Sequence, residues 1–502
     1  MQSPIELYNT LHETYLRYYD TPFALANPKL QEERHARLAE DGVIGQEPLI
    51  EFVSRYLSSG LDPEHAALAA GYSANVARDL QDLTEASGLF PAGRNLYSHQ
   101  AQTLSAARSG KNVAVTAGTG SGKTESFLLP VLADLLEESL RWDPAPQTGS
   151  PWWRESSPKW RSQRTSHRAA AMRALVLYPM NALVEDQLQR LRRLLDSVGS
   201  REWFLNNRRG NLLYFGRYNS RTQVPGLPPR SAGDNRGEER QNRLRKYMEK
   251  ANQTASKVSA DPVRRPFFEQ LDGAEMVSRW DMQEFPPDIL VTNFQMLNIM
   301  LGRRIERPMF AKTRDWLRSD PSHRFSLIVD ELHTYNGTGG SEVAYVVRRL
   351  MRELGAHDFP NQVRIIVASA SIPANDDGRD YLREFFGEPR DTFIIVPGQP
   401  EPTPNVANSE QLLSYLPQFK EFEHSCLNDA AGADLRSFAA DRLAAGIAQT
   451  NASPDADLAK SLTDSGVIGA VAAIARDTGS TQVIARTRRE IATRLFGDES
   501  AD

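Results

Sequence analysis

The sequence predicts an α/β fold, with a mostly parallel, doubly wound sheet that carries helices on both faces. Seven apolar runs rich in β-branched residues alternate with longer helical segments. Near-continuous apolar runs are typical of strands buried on both faces, and strands separated by helices require parallel crossovers. The first run also passes directly into a glycine-rich loop and a helix. The seven runs are NVAVTA (112–117), ALVLYP (174–179), LLYFGRY (212–218), DILVTN (288–293), FSLIVDE (325–331), RIIVASAS (364–371) and FIIVPG (393–398).

Residues 1–95 predict a small helical accessory domain ahead of the sheet. They contain no long β-branched run, and IELYNTLHETYLRYY and PLIEFVSRYL carry apolar residues at helical spacing. Asp62-Pro63-Glu64 is typical of a helix start, because Asp caps the first turn and Pro has no N–H to leave unpaired there.

Two polar stretches interrupt the predicted sheet domain (96–400), and we expect both to be surface insertions. The first, about 142–172, contains WWRESSPKWRSQRTSHR. It either stacks on and clamps nucleic acid through its tryptophans or is a solvated basic loop. The second, 219–287, has a basic stretch at 240–250, which is most simply the polar face of an insertion helix. The proline-rich GQPEPTPNVANSE then leads into a mainly helical region, 401–502.

Length and composition indicate a soluble, cytoplasmic protein of two or three packed units. The chain has 502 residues and a net charge of −5, so a polyanionic partner would require a local basic surface. The single cysteine, Cys426, excludes intramolecular disulfides and a cysteine-based zinc site. The N-terminus has no signal-peptide pattern, and no stretch reaches about 18 uninterrupted apolar residues.

The loop AGTGSGKT joins the first predicted strand to a helix and predicts a triphosphate site. Glycines let the backbone turn tightly and aim its N–H groups inward, and the helix adds its positive N-terminal end. Lys123 can reach the β- and γ-phosphates, and the Thr124 hydroxyl can hold Mg²⁺. The loop departs from the general formula because Ala117 occupies the position of the first glycine. The predicted ATP contacts in the loop are Gly118, Thr119, Gly120, Ser121, Gly122, Lys123, Thr124 and Glu125.

A second strand, in LIVDELH (327–333), supplies two carboxylates for hydrolysis. We expect Asp330 to bind Mg²⁺ through water, and Glu331 to orient and deprotonate the attacking water. Such hydrolysis depends mainly on positioning and charge stabilisation, so one well-placed carboxylate suffices as the base. The predicted catalytic residues are therefore Lys123, Asp330 and Glu331, with ATP and Mg²⁺ bound.

The motifs of residues 95–400 resemble, in order, those of superfamily 2 DExH-box helicases. The A-x-x-G-x-G-K-T variant and DELH both occur in that superfamily. LYSHQ (96–100) resembles the Q motif, which implies that Gln100 contacts adenine. YPMNALVEDQ (178–187) resembles motif Ia, DILVTNFQML (288–297) resembles motif Ib, and SAS (369–371) stands in the place of motif III.

The motif set is similar to that of DExH helicases with a C-terminal DUF1998 region. That group includes the MrfA/YprA-type repair helicases and the helicase subunits of phage-defence systems such as DISARM and Druantia. The resemblance implies a RecA-like P-loop NTPase lobe that acts on DNA, held as a single strand, in defence or repair. It also implies that His333, Ser369 and Ser371 couple the nucleotide to the grip on the strand. The implied nucleic-acid contacts are Pro179, Asn181, Gln187, Gly216, Arg217, Thr292 and Asn293.

The resemblance further implies a second RecA-like lobe, whose arginines touch the γ-phosphate. Their motif, roughly Q-x-x-G-R-x-x-R, does not occur in residues 372–502. We therefore expect this chain to bind ATP with Mg²⁺ but to hydrolyse it poorly alone, because such arginines contribute orders of magnitude in rate. The second lobe would come from a partner chain or from sequence beyond this one.

Two interpretations remain open at this point. The chain is either the N-terminal part of a truncated or split motor, or an ATP-gated binding and assembly subunit without motor activity. A small-molecule kinase is disfavoured, because the DELH and SAS strands have no role in it. Other defence-system subunits are further candidate partners, and no membrane partner is expected.

Overall fold

The structure is a computed structural model of the 502-residue chain. The predicted ATP contact Thr119 and most of the predicted C-terminal helical region lie outside the residues that it describes. The described residues are 4–40, 42–52, 55–118, 120–146, 150–156, 159–162, 164, 167–229, 234–259, 261–335, 337–402, 406–420, 462–463, 465–475 and 484–496.

Seven parallel strands form one sheet in the order β3-β4-β2-β5-β6-β1-β7. Each predicted run contributes one strand, so the predicted α/β fold class is confirmed. Strands β2, β4 and β5 are buried along their whole length, as expected of strands covered on both faces. The bounds are β1 Asn112–Thr116, β2 Ala174–Tyr178, β3 Phe215–Tyr218, β4 Ile289–Asn293, β5 Phe325–Val329, β6 Val363–Ser369 and β7 Phe393–Pro397.

Helices cover both faces of this sheet, and side chains that alternate along each strand enter two separate cores. Val113 and Val115 of β1 pack into one core with the helices that precede β3, whereas Ala114 packs into the other with the helices that follow β4. The first group is α3 Pro63–Ala69, α4 Ala74–Ala86, α5 Ser98–Arg108, α6 Lys123–Ser139, α7 Asn181–Asp196 and α8 Val198–Asn207. The second group is α11 Phe294–Gly302, α12 Arg307–Ser319, α13 Gly337–Leu354 and α14 Asp376–Phe386.

The described chain divides into two compact units, residues 56–400 and residues 1–55 with 401–502. Residues 56–95, which were predicted to belong with the N-terminal helices, are thus part of the larger unit. Their side chains explain the difference, because Val76 and Leu80 of α4 are fully buried in the same core as Leu132 of α6. Asp62 does cap α3 as predicted, since its carboxylate accepts from the His65 N–H at 2.8 Å.

The smaller unit is mainly helical where it is described. An isolated backbone pairing joins Ile50 to Arg486, and Leu412, Ala470 and Leu495 form a small core. No helix in the described part of the chain is both long and apolar enough to cross a bilayer. The helices described in the smaller unit are α1 Pro4–Asp20, α2 Pro28–Ala39, α15 Ser409–Ser414, α16 Val467–Ile474 and α17 Arg488–Phe496.

The two predicted insertions pack together as one subdomain with its own core. It contains α9 (Asn235–Val258) and α10 (Arg279–Glu284). Trp152 and Trp153 from the first insertion are buried against Leu244 of α9, and Trp160 stacks edge-on to Trp280 of α10. The interpretation of the three tryptophans as a stacking clamp is therefore wrong, since Trp152 and Trp153 are core residues and Trp160 is partly buried against the same core.

A single carboxylate, Asp288, holds the first insertion to the sheet. It lies just before β4 and is fully buried. Arg168 donates to both of its oxygens, at 2.8 and 2.7 Å, and Arg164 and Arg173 lie 3.4 and 3.2 Å away. The Tyr214 N–H donates to it as well, at 2.7 Å. Arg164 and Arg168 of this stretch thus lie in the interior, whereas Arg154, Lys159 and Arg161 are exposed.

Candidate active site

The glycine loop between β1 and α6 has the backbone conformation that its sequence predicts. Gly120 and Gly122 have φ angles of 74° and 73°, in the left-handed region where glycine is strongly favoured. Gly122 also packs so close to Gln100 that a Cβ atom would collide with it. Helix α6 begins at Lys123, so its N-terminal N–H groups face the end of the loop.

The loop lies along an open cleft of about 400 Å³ in the larger unit. Most of the predicted nucleotide-site residues line this cleft. Side chains from the α4–α5 connection and from α7 complete its walls. The lining residues are Leu89, Phe90, Arg94, Tyr97, Gln100, Gly120, Ser121, Gly122, Lys123, Thr124, Glu125, Tyr178, Leu183, Asp186, Gln187, Arg190, Asp330 and Glu331.

The two carboxylates that follow β5 lie opposite the loop lysine. Lys123 Nζ is 3.4 Å from Glu331 Oε1, and the Glu331 N–H donates to Asp330 Oδ1 at 2.9 Å. Glu331 has φ = 51°, a left-handed conformation that is strained for a non-glycine residue and that clusters at functional sites. Burial, and then the charge of Glu331, raises the pKa of Asp330 to about 6.

Side chains from two other segments fix the shape of the loop. Gln100 Nε2 donates to the Gly122 carbonyl at 3.2 Å, and His99 Nε2 donates to the Ser121 carbonyl at 2.9 Å. The Tyr56 hydroxyl accepts from the Gly118 N–H at 3.0 Å. Gln100 lies in the cleft, as the predicted adenine contact requires, while its amide also bonds the loop. Sequence reasoning missed Tyr56, because no local pattern links it to a loop some 60 residues away.

Residues 97–211, which include the Q-motif helix and the glycine loop, match the model of the DEAD/DEAH box helicase family. This part of the chain is similar to a DEAD/DEAH box helicase domain. The match confirms the predicted resemblance to superfamily 2 helicases, and a helicase domain of this kind uses ATP, typically with Mg²⁺.

Individual proteins are similar to this chain over more of its length. It is 31% identical over 437 residues to the Druantia protein DruE of Escherichia coli (strain UMEA 4076-1). The alignment covers 79% of this chain and 22% of DruE. This chain therefore spans about a fifth of the length of that curated relative. Crystal structures of the DUF1998 helicase MrfA bound to DNA, and to DNA and AMPPNP, each align with a TM-score of 0.36 at 15% identity. They cover 84% and 83% of this chain, and 44% and 43% of MrfA.

The predicted coupling residues of the helicase domain lie beside the carboxylates and the loop. His333 Nδ1 is 3.3 Å from Glu331 Oε2. Ser369 ends β6, between β5 and β1, and its carbonyl accepts from the Ala117 N–H at the start of the loop, at 3.2 Å. The Ser371 N–H donates to Ser369 Oγ at 3.4 Å. The Ser369 contact connects the end of β6 to the start of the glycine loop, and His333 contacts the carboxylate on the other side of the cleft.

Three asparagines meet where β2, β3 and β4 end. Asn181 Oδ1 accepts from Asn219 Nδ2 at 3.1 Å and from Asn293 Nδ2 at 2.9 Å. Pro179 is half-buried in the same β2 loop, and Thr292 is fully buried, with its hydroxyl donating to the Tyr218 carbonyl. Asn181 and Asn293 were predicted nucleic-acid contacts, whereas Asn219 was missed, although it directly follows the predicted LLYFGRY strand.

Three other predicted nucleic-acid contacts lie elsewhere. Gly216 and Arg217 are inside β3 and not at its end, and Arg217 pairs with Glu185 and Glu269. Gln187 was predicted to contact nucleic acid, but the structure places it in the nucleotide cleft instead. It is only 7% exposed, it lines the nucleotide cleft, and its Nε2 donates to Thr124 Oγ1 at 3.3 Å. Gln187 lies six residues after Asn181, the start of α7, and therefore on a face of the helix that points towards the loop and away from the strand ends.

The residues present fit a magnesium ion held jointly by protein and phosphate. Thr124 and Asp330 place a hydroxyl and a carboxylate on the same cleft, and these are hard oxygen ligands of the kind that Mg²⁺ prefers. The described residues contain no cluster of three or more His, Cys, Asp or Glu that could hold a metal.

Replacing Tyr56 with Phe is expected to weaken ATP binding about 2- to 10-fold, the range for one lost hydrogen bond. The loop N–H of Gly118 would lose its acceptor while the ring kept its packing on Tyr97 and His99. Titration with a fluorescent ATP analogue measures the effect, with the exposed Tyr345→Phe as the matched control. Equal affinity in all three proteins would show that the hydroxyl does not position the loop.

Proposed function

We propose that this chain is the ATP-binding N-terminal motor lobe of a superfamily 2 DExH helicase or translocase. Its nucleic-acid partner is DNA, held as a single strand, and its role is in phage defence or DNA repair. A second RecA-like lobe, from a partner chain or from further sequence, completes the hydrolytic site. The similarity to DruE over 437 residues supports this assignment.

The observation that carries the proposal is the convergence of Lys123, Asp330 and Glu331 on one cleft. Their motifs lie about 200 residues apart in the sequence, yet Lys123 Nζ and Glu331 Oε1 are 3.4 Å apart. A helix N-terminus, an ammonium group and two carboxylates facing one another form a site suited to a triphosphate and its attacking water.

Each group has a distinct task in hydrolysis. The Lys123 ammonium and the loop N–H groups bind the phosphate oxygens and offset their charge. Glu331 orients the water and accepts its proton, while His333, 3.3 Å away, holds the carboxylate in place. Magnesium, when bound by Thr124 and Asp330, neutralises charge on the β- and γ-phosphates.

Lys123→Ala tests this function most directly. We expect ATP affinity to fall about 10- to 100-fold, because a charge-assisted contact contributes roughly 1.5–3 kcal/mol. We also expect the loss of the ATPase activity that single-stranded DNA stimulates once a polypeptide carrying the second lobe is added. The exposed Lys29→Ala is the control. Failure of every nucleic acid to stimulate hydrolysis in the wild-type pair would refute the motor assignment.

The ATP-gated assembly subunit is the alternative, favoured by the absence of a Q-x-x-G-R-x-x-R string from residues 372–502. It predicts ATP-dependent complex formation with a protein partner that needs no DNA and survives Glu331→Gln. Size-exclusion chromatography of the wild type and of Glu331→Gln, with and without ATP and DNA, measures this complex formation. An assembly subunit needs ATP binding alone, whereas a motor requires hydrolysis as well.

A further inference from the structure

The outer face of helix α9 carries a row of cations. The helix contains seven Lys and Arg residues and three Glu residues, in a chain whose net charge is −5. At 100° per residue, the five most exposed cations fall within an arc of about 80° and extend over about 31 Å of the helix. These five residues, here called the α9 basic row, are Arg236, Arg243, Lys246, Lys250 and Lys257.

The subdomain core fixes the direction in which this row points. Leu244 and Met248, on the opposite side of α9, are fully buried with Trp153 and Trp280. Arg245, to one side of the row, donates to the Trp153 carbonyl at 3.1 Å and so ties the helix to the first insertion. The basic row therefore cannot turn inward and faces solvent.

Acidic residues neutralise little of the row. Glu239 pairs with Arg243 at 3.2 Å, and Glu249 pairs with Arg245, which is outside the row. Among the described residues, none forms an ion pair with Lys246, Lys250 or Lys257. A helix face that is merely solvated would instead be expected to alternate Glu and Lys four residues apart.

The subdomain that carries the row is attached beside the three strand-end asparagines. Arg279 of α10 is buried and donates to the Asn219 carbonyl at 2.8 Å, and the Asn219 amide contacts Asn181. A second link is the pairing of Gln223 with Ser278 just beyond β3. The subdomain that carries the α9 basic row therefore adjoins the ends of β2, β3 and β4. This is the edge of the sheet at which the single strand would bind under the proposed function.

We propose that the α9 basic row binds the phosphate backbone of duplex DNA next to the strand held by the motor, an inference that rests on the proposed function. Duplex DNA carries one charge per about 1.7 Å, and one helical turn spans about 34 Å, close to the length of the row. A straight row of cations on a rigid helix matches a stiff duplex better than a flexible strand. Such contacts position the duplex without reading its sequence.

The test is the triple variant Lys246→Glu, Lys250→Glu, Lys257→Glu. Binding of a 30-base-pair DNA duplex is followed by fluorescence anisotropy at several salt concentrations. We expect at least 10-fold weaker binding at about 100 mM salt, and a slope of log K on log salt that is smaller by about 2.7, which is 0.9 for each of three lost phosphate contacts. ATP binding should be unchanged.

The matched control reverses three exposed arginines on three other helices, Arg78→Glu, Arg318→Glu and Arg352→Glu. It makes the same change in net charge and should alter the slope by less than about 0.5. A second variant, with Gln at the three α9 positions, excludes effects of new negative charge, and thermal melting checks that each protein is folded.

The outcomes separate this inference from the proposed function. If wild-type protein binds duplex and the α9 variant has the same slope as the control, the α9 row is not the contact. An equal loss for a 30-nucleotide single strand, or a larger loss for an RNA duplex, would also overturn the assignment. If the wild-type protein binds no nucleic acid at all, the proposed function itself fails.

Discussion

Glu331→Gln is expected to lower ATP hydrolysis by about 100-fold or more, while ATP binding changes little. The amide keeps the size of the side chain but cannot accept a proton from water, and a general base contributes about 10²–10⁴ in rate. The backbone of Glu331 is already held in its unusual conformation by its N–H bond to Asp330, so the substitution should not displace the loop. Single-turnover hydrolysis, measured with the second lobe and single-stranded DNA present, gives the rate.

Glu342→Gln, on the exposed face of α13, is the matched control and should hydrolyse ATP as the wild type does. Titration with a fluorescent ATP analogue shows separately that the Glu331 variant still binds nucleotide. Retention of wild-type hydrolysis by the Glu331 variant would mean that another group serves as the base.

Asp288→Ala is expected to destabilise the larger unit by about 3–5 kcal/mol, the range for removing one partner of a buried ion pair. Arg168 would lose both of its contacts to a carboxylate and keep only the Leu212 carbonyl, at 2.9 Å, and Arg164 and Arg173 would lose the charge of Asp288. Arg173 would keep Glu138, at 2.6 Å. Urea unfolding, followed by tryptophan fluorescence, measures the free energy, and four of the seven tryptophans lie in the subdomain core.

The pH dependence of this contribution has a definite sign. Burial opposes ionisation of Asp288, but the nearby charges, Arg168 first and then Arg164, outweigh it and hold the pKa well below its usual range. A lowered pKa gives stability that is present above the unfolded-state pKa near 4 and is lost as the pH falls through the folded-state pKa. The loss in Asp288→Ala should therefore be the same at pH 6 and pH 8.

Asp320→Asn is the control for this prediction. Asp320 pairs with Arg141 at 3.0 Å, with both side chains partly exposed, and such surface pairs contribute about 0–1 kcal/mol. A loss at Asp288 no larger than at Asp320 would show that the three arginines find other acceptors or water, and that the carboxylate does not hold the insertion to the sheet.

Local pattern was sufficient for the strands and for the parts of the nucleotide site that are continuous in sequence. All seven apolar runs form strands, because a strand covered on both faces must be apolar along its length. The loop glycines and DELH were predictable for a related reason. Positive φ at Gly122 and carboxylates at the end of a buried strand are local requirements, which fall on fixed positions of a motif.

The sequence alone was thus sufficient to predict the sheet, its helices and the residues of the nucleotide loop. Only the tertiary structure decided which distant side chains contact one another. No periodic pattern in the sequence indicates the contacts of Tyr56 with Gly118, of Gln187 with Thr124, or of the arginines with Asp288. The tryptophans of 152–160 were misjudged for the same reason, because an exposed and a buried indole have the same local sequence. Periodicity reports the environment of one element, whereas contacts between elements depend on how the whole chain packs.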